Sequence, residues 1–473
     1  SWMLDMRHPP LHADMPCLLQ QAGRRHAGEP AIITPEDTLE FAELEARVDH
    51  RAMTFLAQGV QGGDWIALRT RTTIDGIIDL LAVLRSGACL LPVNPAMPDT
   101  PLHALLRQQG VHWLVREPGQ PLQATDTTER DVIVPSPASP PPELRRQFQP
   151  HTPCTGILTS GSTGQPKLAV HSYANHALSA AGAATRIPLR PGDRYLLSLP
   201  THHVGGLAIV FRCLMGGAAL VLDGRAEDTG FLMHMGVTHV SMVETQLHRL
   251  LQQSGPSPSS LRYLLLGGGP VRDSLLEQAR RRNLPCWTSY GLTEMSSQVI
   301  TQPPEGPARI LPHRECRLAE TGEILVRGDT LFLGYRDAGR ILPATDEEGW
   351  FHTRDLGRWE NGRFHVVGRL DNQFISGGKN IQPEAIEQLL HTHPDILRAV
   401  VVPRQDAEFG QRPVAFIQSG TELDAHALRT WMRERLKPFM VPVAFLPMPP
   451  TSGLKIQRRD LIRLANVMHP REI

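Results

Sequence analysis

The stretch TSGSTGQPK, residues 159–167, follows a short apolar run and is rich in glycine and in small hydroxyl residues. Glycines let the backbone approach a ligand closely, and successive N–H groups together with hydroxyls form a nest for anions. Lys167 adds a positive charge, but Leu168 stands where the Walker pattern has a serine or threonine. We therefore predict a phosphate-binding loop after a buried strand, and a flexible surface loop is the alternative.

Apolar runs of strand length alternate with amphipathic, helix-like segments through most of the chain. Residues 65–68 form one such run, and apolar residues at helical spacing follow between 77 and 84. The runs at 195–199 and 263–266 each lead into a loop rich in glycine or proline. This alternation predicts α/β layers in which the sheets are largely buried.

The length of 473 residues and two changes of pattern predict more than one domain. Residues 135–150 are rich in proline and are expected to form an irregular surface connector. Later the pattern becomes a compact α+β unit, in which Pro383 occupies the first turn of a predicted helix. We predict a large N-terminal domain of layered α/β subdomains over residues 1–370 and a small C-terminal α+β domain over residues 371–473.

The composition argues against several classes of protein. Lys plus Arg and Asp plus Glu number 48 each, so no overall field attracts nucleic acid or a membrane surface. No apolar run approaches the ~18 residues of a membrane-spanning helix, and no export signal is visible at the N-terminus. The cysteines show no C-x-x-C spacing, which argues against a zinc site or a disulfide framework and favours the cytoplasm.

Six further motifs follow the phosphate loop, and each alone is a weak signal. They are LPTHHVGG (199–206), LGGG (266–269), YGLTE (290–294), TRD (353–355), GRLD (368–371) and GLKI (453–456). Together with the loop they resemble, in the same order, the motifs of adenylate-forming enzymes, which include acyl-CoA synthetases, peptide-synthetase adenylation domains and luciferases. The resemblance spans about two-thirds of the chain. Seven motifs in one order are specific for this superfamily.

The resemblance implies an ATP site built from the matching positions. ATP and AMP would be held by Thr159, Ser160, Gly161, Ser162, Thr163, Gly164, Lys167, Gly267, Gly268, Gly269, Tyr290, Gly291, Asp355 and Arg369. Tyr290 would stack on adenine, and the Asp355 carboxylate would accept from both ribose hydroxyls. The implied catalytic residues are Lys455, Thr293, Glu294 and His203. Glu294 would also help to hold Mg²⁺, and His203 would line the acyl pocket and the pantetheine tunnel.

Each of these side chains also has an ordinary structural explanation when it is considered alone. Glu294 would then be a helix cap or surface acid, and Asp355 a turn residue. His203 would be a histidine with structural hydrogen bonds, and Lys455 a solvated lysine. Their order along the chain favours the functional interpretation.

The implied chemistry explains why this set contains cations and anion-binding groups and no nucleophile. A carboxylate is a poor acylating agent, so it first attacks the α-phosphorus of ATP, and a thiol then displaces AMP from the mixed anhydride. Both first reactants are anionic. Lys455, Lys167 and Mg²⁺ near Glu294 would offset that repulsion in the transition state. The chain has no G-x-S-x-G elbow, in agreement with a reaction that needs no serine nucleophile.

Within the superfamily the chain looks most like the o-succinylbenzoate–CoA ligase subfamily of menaquinone biosynthesis, on residues 199–212 and 368–384. Arg212 lies nine positions after His203 within an apolar run, where an unpaired arginine is costly. In that subfamily an arginine at this place pairs with the aromatic carboxylate of the substrate, and Gly268 would also contact the acid. The alternative is that Arg212 makes a structural ion pair with an acid of the pocket wall.

The second half-reaction implies a mobile C-terminal domain. Lys455 must reach ATP for adenylation, whereas the thiol must later reach the same carbonyl. In the resembling family the C-terminal domain rotates about a hinge, here Asp371. Gly377, Gly378 and Lys379 would then contact CoA, although Lys379 could also be only a surface charge.

The leading interpretation is an ATP-dependent, AMP-forming acid–CoA ligase whose partners are a small-molecule acid, ATP and CoA, with a homodimer left open. A ligase for another aromatic or acyl acid would share every motif except Arg212. A stand-alone adenylation protein that loads a carrier protein is a third hypothesis. A catalytically inactive nucleotide-binding regulator and a luciferase-type oxygenase are the remaining ones.

Overall fold

We analysed a computed structural model, which describes residues 14–125, 143–159, 166–267, 269–450, 457–467 and 472–473. A large α/β N-terminal domain is followed by a small C-terminal domain, as the predicted fold class requires. The boundary between residues 370 and 371 stays a prediction. Among the described residues, no helix has the length and apolar character that crossing a membrane requires.

Twelve α-helices are numbered in chain order over the described residues. They are α1 (Leu18–Arg25), α2 (Phe41–Ala57), α3 (Ile74–Arg85), α4 (Asp99–Gln109), α5 (Tyr173–Ala184), α6 (Val204–Gly216), α7 (Thr229–His234), α8 (Glu244–Gln252), α9 (Asp273–Arg281), α10 (Pro383–Leu390), α11 (Ala425–Arg433) and α12 (Arg458–Val467). Short 3₁₀ turns lie at Thr293–Met295, Leu370–Asn372 and Pro438–Met440.

The first sheet has eight strands. In chain order they are β4 (Trp65–Arg69), β5 (Cys89–Val93), β6 (Trp113–Val115), β7 (Gln123–Ala124), β9 (Pro153–Thr159), β10 (Lys167–Ser172), β20 (Gly334–Asp337) and β21 (Arg340–Leu342). Their spatial order is β21-β20-β10-β9-β5-β4-β6-β7. The centre is parallel, and its strands β4 and β5 are apolar runs that are almost wholly buried, as expected of a sheet covered on both faces.

The second sheet has nine strands. In chain order they are β2 (Pro30–Ile33), β3 (Thr38–Glu40), β11 (Arg194–Leu196), β12 (Ala219–Val221), β13 (His239–Met242), β14 (Tyr263–Leu266), β15 (Cys286–Leu292), β16 (Ser297–Gln302) and β17 (Arg309–Ile310). Their spatial order is β17-β16-β15-β14-β13-β11-β12-β2-β3. One cluster of buried apolar side chains from helices α2, α3, α5 and α6 joins this sheet to the first.

Smaller sheets complete the molecule. The strands β18 (Arg314–Leu318), β19 (Glu323–Gly328), β22 (Phe351–Glu360) and β23 (Arg363–Arg369) form an antiparallel sheet. The C-terminal domain contains the hairpin β24 (Phe374–Ser376) and β25 (Lys379–Ile381), and the sheet β26 (Ile396–Asp406), β27 (Gly410–Ser419) and β28 (Ala444–Pro447). Side chains of α10, α11 and this sheet form their own apolar core.

Two local predictions can be compared with these elements. Pro383 occupies the first position of α10, where its fixed φ suits a helix and its missing N–H costs nothing. The proline-rich connector is only partly described, and it is not wholly irregular. Gln147 and Phe148 form β8, which pairs with β1 (Met15–Pro16), and the Phe148 ring stacks on Tyr173 with centroids 3.9 Å apart.

Candidate active site

Several sheets converge on one cleft of about 730 Å³. The chain turns at Gly267 after β14, and at the 3₁₀ turn Thr293–Met295 after β15. These two turns meet the ends of β9, β10, β22 and β23. The cleft is lined, among other residues, by Thr159, Lys167, Glu294, Asp355, Arg369 and Asp371. In open α/β sheets, ligands bind outside the carboxyl ends of the strands, so this is the expected place for a nucleotide.

The phosphate loop connects two strands that pair directly. Thr159 ends β9 and lies opposite Lys167, the first residue of β10, and the Thr159 hydroxyl donates to the Lys167 carbonyl at 3.3 Å. The two predicted side chains at the ends of the loop therefore stand side by side at the cleft. The other predicted residues of the loop lie outside the described residues: Ser160, Gly161, Ser162, Thr163 and Gly164.

Glu294 lies in the cleft beside a tyrosine that the sequence did not single out. The Tyr335 hydroxyl donates to Glu294 Oε1 at 2.9 Å, and the Lys167 ammonium lies 4.9 Å from the centre of the Tyr335 ring. Burial raises the pKa of the Glu294 carboxyl. Tyr335 sits on β20, which pairs with β10, so only the sheet register brings it to this place. Residue spacing in the sequence held no signal for it.

The YGLTE turn is fixed by close backbone packing. A Cβ on Gly291 would lie 2.2 Å from the Ser297 carbonyl oxygen, because β15 and β16 are locally irregular there, so only glycine fits. His171 lies behind the turn, and burial lowers its pKa to about 4. The neutral ring donates from Nε2 to the Thr293 carbonyl at 2.7 Å. The position of Thr293 is thus set by a buried histidine on β10.

Asp355 is bound by two of the predicted residues. The Tyr290 hydroxyl donates to Asp355 Oδ2, and Arg369 donates to Oδ1, both at 2.8 Å. Burial raises the pKa of the Asp355 carboxyl, and these two donors oppose that rise. The structure therefore brings together Tyr290, Asp355 and Arg369 from three separate motifs at one wall of the cleft.

Gly269 and Tyr290 line a second cavity, of about 290 Å³. The Gly267 N–H donates to the Met242 carbonyl at 3.2 Å, and Gly269 has a φ of +133°, which only glycine adopts readily. Phe364 and Val366 line the cavity from the side of β23. The lining combines aromatic and apolar side chains with polar ones, a mixture that suits a purine base, and it shares Tyr290 with the Asp355 wall. The predicted residue Gly268 lies outside the described residues.

Asp371 stands between two arginines. Arg354 donates to its Oδ1 at 3.2 and 2.9 Å, and Arg369 donates to its Oδ2 at 3.1 Å. Burial alone would raise the pKa of Asp371, but these hydrogen bonds hold it below its ordinary value. The predicted hinge residue is therefore tied to the N-terminal domain. Arg354 is the middle residue of the TRD motif, but the sequence predicted no role for it.

His203 and Arg212 lie on different sides of α6. His203 is the exposed residue before α6, with its ring centroid 4.3 Å from that of His202. The nine positions from His203 to Arg212 span about 13 Å and about two and a half helical turns. The Arg212 side chain therefore projects from the side of α6 opposite to His203. Its guanidinium is buried and donates to the Ser297 hydroxyl at 3.3 Å. Because Ser297 is paired with Leu292, which lines the cleft, Arg212 lies behind the YGLTE turn.

Arg212 has no carboxylate within ion-pairing distance among the described residues, and its Nε has no hydrogen-bond partner there. When the Gln298 amide oxygen is turned toward it, that oxygen accepts from the guanidinium at 2.9 and 3.3 Å. A second buried arginine lies nearby, and burial together with Arg212 lowers the pKa of Arg314 to about 9. The structural ion pair considered above therefore has no described partner, and the region carries uncompensated positive charge.

The predicted CoA residues lie away from the cleft in this structure. Gly377 and Gly378 have φ of +55° and +79° and form the turn between β24 and β25. The Lys379 ammonium lies 4.8 Å from the centre of the Phe439 ring. The start of α12 lines the cleft instead, with Gln457 and Arg458. The predicted catalytic residue Lys455 is two positions before Gln457 and lies outside the described residues.

Comparison with known proteins gives the following matches. Residues 19–336 match the AMP-binding enzyme family, and residues 385–451 match the AMP-binding enzyme C-terminal domain. The 2-succinylbenzoate–CoA ligase of Salmonella typhimurium is 37% identical over 445 residues, which cover 91% of this chain and 94% of that protein. These matches extend across both domains.

Two solved structures of o-succinylbenzoate CoA synthetase (MenE) from Bacillus subtilis are also similar. The complex with ATP and magnesium ion has a TM-score of 0.83 at 27% identity and covers 95% of this chain and 100% of that one. A double mutant bound with the product analogue OSB-NCoA has a TM-score of 0.68 at 28% identity, with coverage of 95% and 98%. The backbone of this chain is thus more similar to the ATP complex than to the product-analogue complex.

Replacing Asp355 by Asn should weaken ATP binding about tenfold, because a charged acceptor is lost and Arg369 loses its partner on that side. Calorimetric titration with ATP in the absence of any acid measures this directly. Asp337→Asn, an exposed aspartate on β20, is the matched control and should bind ATP as the unmodified protein does. Equal affinities for all three proteins would exclude Asp355 from the nucleotide site.

Proposed function

This chain belongs to the AMP-binding enzyme family of adenylate-forming acid–CoA ligases, and from that premise we propose that its acid is 2-succinylbenzoate (o-succinylbenzoate). The observation that carries the proposal is Arg212, a buried arginine without an acidic partner among the described residues, next to the turn that holds Thr293. A second carboxylate on the acid would supply the missing charge. The name of the Salmonella relative supports the same acid, and a role in menaquinone biosynthesis would follow from it.

In the first half-reaction the acid carboxylate attacks the α-phosphorus of ATP and pyrophosphate leaves. The described residues offer binding and orientation for this step. Tyr290 and the second cavity would hold the base, while Asp355 and Arg369 would bind the ribose. Lys167 and Thr159 stand where the phosphates would reach the loop. Fixed donors and charges of this kind stabilise a transition state without reorganising during the reaction.

The site also fits the Mg²⁺ that accompanies ATP. Mg²⁺ is usually held by one or two carboxylates together with substrate phosphates and water, so a complete cage of protein ligands is not needed. Glu294 is such a carboxylate, half-buried at the cleft wall, where a nearby cation would offset the cost of its ionisation. When bound, Mg²⁺ would neutralise charge on the phosphate oxygens. The structure of the B. subtilis relative in complex with ATP and magnesium ion supports this assignment.

Lys455 is proposed as the catalytic lysine from its motif and from the segment that follows it. Arg458, three positions later, donates to Glu387 at 2.9 Å and to the Val401 carbonyl at 2.7 Å, which anchors the start of α12 in the C-terminal domain. The same segment lines the ATP cleft. A positive charge supplied from the C-terminal domain would therefore be available only while that domain faces the cleft.

In the second half-reaction the thiolate of CoA attacks the carbonyl carbon of the acyl-adenylate, and AMP leaves. Gly377, Gly378 and Lys379 stand apart from the cleft in the present arrangement. We therefore propose that the C-terminal domain rotates about Asp371 between the half-reactions. The lower TM-score against the product-analogue complex supports two arrangements in the family.

The experiment that tests the function is acid-dependent ATP–pyrophosphate exchange with a panel of aromatic and aliphatic acids, followed by mass detection of the thioester. We expect 2-succinylbenzoate to give the fastest exchange, and CoA to give its thioester together with AMP. Faster exchange with another acid would overturn the substrate assignment but not the reaction type. Acyl transfer to a carrier protein, with none to CoA, would favour the adenylation-protein hypothesis.

Replacing Arg212 by Ala should raise the KM for 2-succinylbenzoate roughly tenfold to a hundredfold, the scale of a lost charge-assisted hydrogen bond. For 4-oxo-4-phenylbutanoate, which lacks the aromatic carboxylate, the KM should change much less. Steady-state kinetics with both acids give the comparison, and Arg190→Ala, at an exposed site, is the control. An equal rise for both acids would make Arg212 a structural residue.

Replacing Lys455 by Ala should slow adenylation by roughly two to three orders of magnitude, on the scale of a lost electrostatic donor. Thioester formation from purified acyl-adenylate should change little, because the lysine is needed only for the first half-reaction. Single-turnover measurements separate the two steps. Lys437→Ala, an exposed lysine of the same domain, is the control. Equal losses in adenylation and in thioester formation would contradict the proposal that Lys455 acts only in the first half-reaction.

A further inference from the structure

Arg354 combines an unusual backbone with a side chain that reaches the hinge. Its φ is +63°, in the left-handed region that L-residues rarely adopt because Cβ crowds the neighbouring carbonyl. Glycine would occupy this place at lower cost. A strained residue persists only where its surroundings hold it, and such residues concentrate at functional sites. The question is therefore what the arginine side chain contributes that glycine cannot.

The contacts of Arg354 cross between the two domains. Its backbone N–H donates to Glu323 Oε2 at 3.0 Å, which fixes the main chain to a buried carboxylate of β19. Its side chain donates twice to Asp371 Oδ1, at 3.2 and 2.9 Å. Asp371 lies in the 3₁₀ turn between β23 and β24, where the chain enters the C-terminal domain. The left-handed backbone thus places a guanidinium of the N-terminal domain on the hinge carboxylate.

The hinge carboxylate also shares an arginine with the ribose carboxylate. Arg369 donates to Asp371 Oδ2 at 3.1 Å and to Asp355 Oδ1 at 2.8 Å. Charges of alternating sign therefore run from Asp355 through Arg369 and Asp371 to Arg354. In this arrangement the first residues of α12 line the ATP cleft. The pairing at Asp371 exists in the arrangement that suits adenylation.

We propose that Arg354 is a positioning residue for the first half-reaction, whose ion pair with Asp371 holds the C-terminal domain with α12 against the ATP cleft. The pair has to open before the domain can turn the hairpin of Gly377 and Gly378 toward the acyl-adenylate. The role in the two half-reactions rests on the proposed function. The effect on domain arrangement does not depend on it, because it exists in the substrate-free protein.

Arg354→Gly is the informative variant, because it removes the ion pair and relieves the backbone at the same time. The domain should stay folded, since the change lowers local strain. Arg354 is about half-exposed, so the pair is partly screened by solvent. We expect adenylation to fall about three- to tenfold, and thioester formation from purified acyl-adenylate to stay unchanged or to accelerate. Arg354→Lys keeps a cation and should recover most of the lost adenylation.

Two matched controls separate the contributions of strain and charge. Asn361 lies in the turn after β22 and also has a left-handed backbone, with a φ of +53°. Asn361→Gly relieves strain without touching the hinge and should leave both half-reactions unchanged. Arg47→Gln removes an exposed arginine from an ion pair with Glu43 on α2, and it should likewise have no effect on either step.

The domain arrangement is measured without substrates. Spin labels at Glu36→Cys and Glu422→Cys, two exposed sites in the two domains, report the interdomain distance by pulsed electron resonance. We expect one dominant distance in the otherwise unmodified protein and a broader or shifted distribution with Arg354→Gly. Arg354→Lys should restore the first distribution. These distances test the ion pair itself.

Equal losses in both half-reactions, or an unchanged distance distribution with Arg354→Gly, would overturn the proposal. If the unmodified protein shows no acid-dependent exchange with any acid, the proposed function fails instead. In that case the distance distributions still decide whether Arg354 holds the hinge.

Discussion

The carboxylate of Asp355 is the contact on which the organisation of the cleft depends. One carboxylate oxygen accepts a hydrogen bond from the Tyr290 hydroxyl, and the other accepts one from the Arg369 guanidinium. Asp355 therefore joins β15, β22 and β23 at one point. A buried carboxylate is stable only with such donors. The same guanidinium continues to Asp371, where the chain enters the C-terminal domain. Asp355 and Asp371 are therefore joined by one chain of charged hydrogen bonds.

The strand pairing determines which side chains meet in this cleft. β10 lies between β9 and β20, and this register sets Lys167 beside Thr159 on one side and near Tyr335 on the other. The turn at the end of β15 can pack closely because Gly291 has no side chain. The neutral His171 ring fixes the turn by donating a hydrogen bond to the Thr293 carbonyl. The cleft is thus shaped by ordinary sheet geometry with two exceptional positions. Both are adjacent to the groups that would touch the phosphates.

Arg212 and Arg314 give the region behind the cleft an unusual character. Arg314 is bound by the carbonyl oxygens of Gln298, Pro312 and Ser179, and Arg212 by the Ser297 hydroxyl. Neutral acceptors satisfy donors without cancelling charge, so the positive potential persists. This excess of positive charge is the physical basis on which we propose a dicarboxylic acid as the substrate. The cleft is lined in large part by motif residues, whereas Arg212 and Arg314 lie behind them.

The sequence alone determined the superfamily and the layered α/β class, because these depend on local patterns: apolar runs of strand length and short motifs in order. It did not reveal Tyr335 or the contact that Arg354 makes, since these come from strand register and from a left-handed backbone. It predicted a carboxylate partner for Arg212 but not where Arg212 lies relative to His203, whereas the structure places the two on opposite sides of α6. Only the tertiary structure decided which charges meet, because hydrogen bonds act over about 3 Å and sequence distance does not measure that separation.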